Sequence, residues 1–131
     1  MPPNQLGGRV LEYLRSLSAE PLRLGTLNGY RDYVDVRDVA HAIASSVTTG
    51  EHMRAKVVNI GSGRAHQARE LVQGIFKAAG RGSLVEDEGV GSDRSVGVSW
   101  QEADISLARR FINWAPRYSF DETLRHLAAP I

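Results

Sequence analysis

Two arginines, Arg31 and Arg94, offer the side chains best suited to ligand chemistry in this 131-residue chain. Each follows a glycine-containing loop and precedes a strand-like segment. A guanidinium presents a planar fork of N–H donors that matches phosphate oxygens in pairs, and two such forks on separate loops would clamp a diphosphate. The competing reading is a pair of surface salt bridges, for example Arg31 with Asp32 or Asp35. On residue type alone the two readings stand level.

Other constellations carry less. Gly61-Ser62-Gly63-Arg64-Ala65-His66 follows a β-branched run and precedes a helical pattern, which makes it two-thirds of a dinucleotide fingerprint. Glu86 stands roughly where the ribose-binding acid would fall, about 20 residues on. His66 replaces the third glycine, so a tight strand-to-helix turn that needs glycine for its backbone angles is the better reading. His41, His52, His66 and His126 lack an H-x-x-x-H partner and the chain has no cysteine, so no metal site is expected. His41 reads as a helix-surface or core-edge residue. Ser62 lacks the G-x-S-x-G spacing of a nucleophile elbow. Neither Lys56 nor Lys77 has a tyrosine four positions earlier, so no Tyr-x-x-x-Lys proton-transfer pair exists. No catalytic residue is assigned.

The elements that must position Arg31 and Arg94 follow from periodicity. Val10, Leu11, Leu14 and Leu17 line one face of a helix from Arg9 to about Ala19, ended by Pro21. Residues 1–8 read as an extended entry. Leu22, Leu24 and Leu27 form a short strand-like stretch, and Asn28-Gly29 is the strongest turn dipeptide. Asp35, with Asp38 three residues on, starts a helix from about Val36 to Val47, apolar on Val39, Ala40, Ile43 and Val47. Lys56 to Ile60 reads as a strand, Gln67 to Ala79 as a helix stopped at Gly80, and Leu84 to Glu86 as a short strand. Gly89 to Asp93 is a loop, and Val96, Val98 and Trp100 alternate as another strand. Ser106 to Ile112 is a short helix with Asn113 at a left-handed stop. Ser119-Phe120-Asp121-Glu122 is a capping box opening the last helix, apolar on Leu124, Leu127 and Ala128. Helices alternate with short strands, too few for a complete doubly wound sheet, so the expected class is a mixed α/β or α+β unit.

Whole-chain composition sets the outer bounds. By length this is one domain, residues 1–131, able to bury about two-thirds of its unfolded surface. The chain is 42% hydrophobic and 24% charged, which argues against disorder. A formal charge of +1 gives no case for a nucleic-acid or membrane-surface partner. No apolar run approaches a membrane span, and Met1 to Gly8 lack a signal pattern, so a cytoplasmic protein is expected.

Read in order, six pieces resemble one family. They are Arg31-Asp-Tyr-Val-Asp-Val-Arg-Asp-Val-Ala, Val58-Asn-Ile-Gly-Ser-Gly, Glu70-Leu-Val, Arg94 ten residues before Asp104, Asn113-Trp-Ala-Pro, and Phe120-Asp-Glu-Thr-Leu. Together they resemble the C-terminal half of the extended short-chain dehydrogenases: NAD(P)-dependent nucleotide-sugar epimerases, 4,6-dehydratases and 4-keto reductases. The Gly25-x-Leu27-x-x-x-Arg31-Asp32 loop looks most like the GDP-mannose dehydratase and 4-keto-reductase branch.

The resemblance implies roles for individual residues. Arg31 and Arg94 match the family arginines that contact the nucleotide diphosphate. Leu24 and Gly25 match the strand end that packs on the base. Pro3 matches the proline of an Asn-x-x-Gly-Pro segment, and Asp38 a structural acid at a helix start. Asn113 departs from the usual glycine, Gln67 from the usual Ser or Thr cap, and Ser95 from a common proline. The family's Rossmann glycine motif, NAD(P) site and catalytic Ser/Thr, Tyr and Lys belong to an N-terminal half that is missing here. The resemblance therefore implies a substrate-binding lobe without cofactor or catalytic residues. Its implied partners are a nucleotide-diphosphate sugar and either a Rossmann-domain partner or further copies of itself. A non-catalytic binding subunit and a self-associating remnant are the alternatives.

Overall fold

The computed structural model describes residues 2, 4–48, 57–87, 89 and 98–129. The elements run α1 (Leu6–Ser16), β1 (Leu22–Leu24), β2 (Tyr30–Asp32), α2 (Val36–Thr48), β3 (Ala65–Gln67), α3 (Ala68–Ala78), β4 (Val85–Asp87), α4 (Ser106–Ile112) and α5 (Phe120–Ala128). The mixed helix-and-strand class expected from the sequence is the observed one. β1 pairs in parallel with β4, Leu22 opposite Val85. β2 pairs antiparallel with β3, Arg31 opposite His66.

Helix α3 is central because one side of it is wholly apolar. Leu71, Val72, Ile75 and Phe76 are all buried, and α1 and α5 close over them with Val10, Leu11, Leu14 and Leu124. Each fully buried side chain of this size contributes about 1.5–3 kcal/mol. Gly74 faces α5, and a Cβ there would collide with the Leu124 side chain. Glu70 accepts the Gln67 amide at 3.2 Å, so the start of α3 is satisfied without a Ser or Thr cap. At the other end Gly80, at φ 68°, and Arg81 donate back to Lys77 and Phe76, an αL stop as expected. A second, smaller core gathers Ala42, Ile105, Ala108, Ile112 and Trp114.

Several sequence expectations shift. Helix α1 starts at Leu6, with Gly7 and Gly8 buried inside it, and ends where Leu17 turns left-handed at φ 54°, well before Pro21. Glycine's low helix propensity suggested an extended entry, and tertiary packing overrides it. Val57 to Ile60 is extended but joins no ladder among the described residues. Val98 to Trp100 is not a regular strand either, although Ser99 and Gln101 each make a backbone bond to Tyr30. Helix α2 has the expected length, yet Val36, Ile43 and Val47 are 71, 63 and 77% exposed. Its inward residues are Asp38 and Ala42. The remaining helices hold: Asn113 is left-handed at φ 48°, and the Ser119–Glu122 capping box closes. Pro3, His52, Lys56, Arg94, Ser95 and Val96 lie outside the described residues. Among the described residues no helix is long and apolar enough to cross a membrane.

Asp38 fixes α2 against the Trp114–Tyr118 segment. It is 1% exposed, and its two carboxylate oxygens accept the Arg117 and Tyr118 amides at 3.0 and 3.1 Å. Its carbonyl accepts the Trp114 indole N–H at 3.0 Å. Replacing Asp38 with Ala strands two amides beside a cavity, so Asp38→Ala is expected to lower unfolding free energy by about 2–4 kcal/mol in urea titration. A loss within the range of ordinary surface substitutions would show that the carboxylate does not hold this junction.

Candidate functional site

Strand β2 carries Arg31 through a junction of three chain segments. On one side Tyr30 to Asp32 pair with β3. On the other, the Tyr30 amide donates to Ser99 and the Tyr30 carbonyl accepts from Gln101. The same carbonyl accepts Nη1 of Arg31 at 2.7 Å. The guanidinium folds over Gly29, where a Cβ would meet Nη1 at 3.2 Å. Gly29 has no left-handed φ, so its value here is the room it leaves for Arg31, and the tight Asn28-Gly29 turn expected from the dipeptide does not form. The Arg31 charge reaches Tyr33: burial pushes the phenol's pKa up, and the guanidinium partly opposes it.

The salt-bridge reading of Arg31 falls because its proposed partners are engaged elsewhere. Asp32 accepts three backbone amides: Ser62 at 2.7 Å, Gly63 at 2.9 Å and Ala103 at 3.1 Å. Asp35, 4% exposed, is held by Arg37 through Nε at 2.8 Å and Nη2 at 2.7 Å, by the Arg37 amide at 2.9 Å and by the Thr123 hydroxyl at 2.9 Å. Arg37 in turn lies 3.7 Å over the Tyr118 ring. Among the described residues no carboxylate pairs with Arg31. It is a cation fixed by backbone, with most of its donors free of protein partners in that set.

Asp32 also decides the glycine turn. Gly61 sits so close that a Cβ would lie 2.8 Å from Asp32 Oδ2 and against Ala103. Gly63 adopts φ 71°, which suits glycine. The Ser62 and Gly63 amides point at Asp32, so this turn does not fit the pyrophosphate of a dinucleotide. The turn reading of the motif is the observed one.

Leu24 is 1% exposed and belongs to the core, so its side chain cannot face a base and any ligand contact falls to its backbone. Gly25, half-buried, follows at the strand end. Arg94 lies outside the described residues, so only one arm of the proposed clamp is placed. A cleft of about 740 Å³ opens elsewhere, between β3, α3 and α5, and Arg31, Leu24 and Gly25 do not line it. His66 stacks on Phe120 there at 4.0 Å and pairs with Glu70 at 2.9 Å. His41 is the one histidine with an orphaned atom among the described residues, a buried Nδ1 without a hydrogen-bond partner. No cluster of metal-ligating side chains occurs among the described residues.

Comparison with known proteins now has a geometry to attach to. The family model described as GDP-mannose 4,6 dehydratase matches residues 9–127. This chain belongs to that family. A curated relative, the dTDP-6-deoxy-L-talose 4-dehydrogenase (NAD(P)(+)) of Kitasatospora kifunensis, is 29% identical over 106 residues, covering 81% of this chain and 33% of its own length. The UDP-glucose-4-epimerase of Stenotrophomonas maltophila, solved with NAD and formylated UDP-arabinopyranose, superposes with a TM-score of 0.82 at 23% identity, over 98% of this chain and 40% of that one. The RMD protein of Pseudomonas aeruginosa, solved with NADPH, gives 0.77 at 20% identity, over 95% and 40%. The dehydratase-family chain thus shares its fold with these proteins and spans between a third and two-fifths of their length, corresponding to a C-terminal portion.

Burial pushes the Asp32 carboxyl up, and the hydrogen bonds from Ser62, Ala103 and Gly63 together outweigh it, leaving its pKa below the usual 3.8. The Arg37 guanidinium beside Asp35 holds that carboxyl far lower, against a smaller burial effect. Both folded pKa values lie below the unfolded one, so the stability they contribute is present above it and is lost as pH falls through the folded values. The urea midpoint is expected to be flat near neutrality and to drop below about pH 4. Asp32→Asn and Asp35→Asn should each be less stable at pH 7 and show a shallower acid drop. Variants that keep the full wild-type drop would remove these carboxylates as its source.

Proposed function

We propose that this chain is the nucleotide-sugar-binding portion of an NAD(P)-dependent sugar epimerase, dehydratase or 4-keto reductase, acting as one domain over residues 1–131. The observation that carries the reading is Arg31: a guanidinium pinned to the Tyr30 carbonyl, with no carboxylate partner among the described residues. Arg31 and Arg94 hold the diphosphate, and Gly25 with the Leu24 backbone meets the base. The chain's contribution is binding energy and orientation of the sugar. Hydride transfer, the NAD(P) site and the proton-transferring side chains belong to the part of the enzyme outside this chain, and the whole works in the cytoplasm. A non-catalytic complementing subunit is the second reading, favoured by the exposed apolar side of α2.

Titration calorimetry with GDP-, UDP- and dTDP-sugars tests the site. One class is expected to bind, and Arg31→Ala and Arg94→Ala should each weaken it by about tenfold to a hundredfold, the size of a charge-assisted hydrogen bond of about 1.5–3 kcal/mol. Unfolding midpoints of both variants should match wild type. Binding that survives both substitutions rules out the clamp. Turnover of a nucleotide sugar by the isolated chain with NAD(P) contradicts the division of labour.

A further inference from the structure

Helix α2 is amphipathic in the reverse sense. Val36, Ala40, Ile43, Ala44 and Val47 are all exposed. At 3.6 residues per turn they form one stripe about 100° wide, the width that a surface helix normally turns inward. The polar Asp38 occupies the inward side instead, 1% exposed. The orientation is locked: Asp35 ties the helix start to Thr123, and Asp38 ties it to Trp114, Arg117 and Tyr118. The stripe therefore cannot roll into the body of the molecule without stripping those groups of their partners.

The next described segment is open in the same way. From Val57 to Ile60 exposure alternates, with Val57 at 88% and Asn59 outward while Val58 and Ile60 lean on the smaller core. That is the pattern of a strand, on β-branched residues, with no ladder partner among the described residues. A bare apolar helix stripe beside an unpaired strand edge marks an interface. It is the exposed half of a helix-on-sheet layer.

We infer that this face docks onto an apolar lobe that presents a β-sheet edge: the part that the longer relatives carry beyond the match. Most of each relative lies outside the matched portion, since 98% of this chain covers 40% of the Stenotrophomonas maltophila epimerase. The inference rests on the functional reading above, for which it supplies the contact surface. Ile43 and Val47 seat against the lobe's apolar face, and Val57 to Ile60 adds to its sheet edge by backbone hydrogen bonding.

The probe is the part of the Kitasatospora kifunensis dehydrogenase outside the third matched here, co-expressed with this chain. Stoichiometric co-purification is expected, reduced at least tenfold by Ile43→Asp, Val47→Asp and Val57→Asp. Leu17→Asp changes an exposed leucine away from the face, and co-purification should persist. The three variants should unfold at the wild-type midpoint in the isolated chain, because they are solvated there. A lobe that stays insoluble or unbound in the chain's presence overturns the inference, and so does co-purification indifferent to the three substitutions. Light scattering of the isolated chain adds an independent check: a stable dimer that the same substitutions dissociate would assign the face to a second copy and overturn it. Calorimetry with nucleotide sugars separates the two readings, since a chain that binds the lobe and no nucleotide sugar sinks only the functional one.

Discussion

Carboxylates gripping backbone amides hold this fold together. Asp32, Asp35 and Asp38 stand at three-residue spacing in one short run and fasten three different parts of the chain. A buried carboxylate is stable only when its oxygens are matched by donors, so each aspartate determines which loop must come to it. Asp32 draws in the Gly61–Gly63 turn and Ala103. Asp35 takes Arg37 and the first turn of α5. Asp38 takes the segment after Trp114.

Arg31 owes its state to this arrangement. A guanidinium next to an aspartate in sequence would ordinarily pair with it. Here Asp32 faces the glycine turn and Asp35 is saturated by Arg37, so Arg31 is left with a carbonyl anchor and unpaired donors. The same engagement of Asp32 consumes the amides of the only turn that resembled a dinucleotide cradle. One set of hydrogen bonds thus disfavours a cofactor loop and leaves a cation available to an anionic ligand.

The family relationship and the inverted helix describe one molecule from two sides. The chain matches its relatives over nearly all of its own length and less than half of theirs. Its large core, around α3, is complete within the chain. Its small core, around Trp114, has α2 on it with an apolar stripe facing outward.

The sequence by itself determined the local structure: the helices from apolar spacing, the left-handed stop at Asn113, the capping box at Ser119, and Arg31 as a residue fit for phosphate. Each of these depends on neighbours within a few positions, where periodicity and capping chemistry operate. Tertiary structure decided what each element faces. Val39, Ala40, Ile43 and Val47 read as a core face because amphipathic spacing does not say which side the body lies on, and buried Asp38 reversed it. Gly7 and Gly8 are helical because α1 packs on α3, and Leu24 is lost to the core as a side-chain contact. Val57 to Ile60 has strand composition without a strand's partner. A sheet needs hydrogen bonds from a second segment, and no sequence pattern within the strand can supply them.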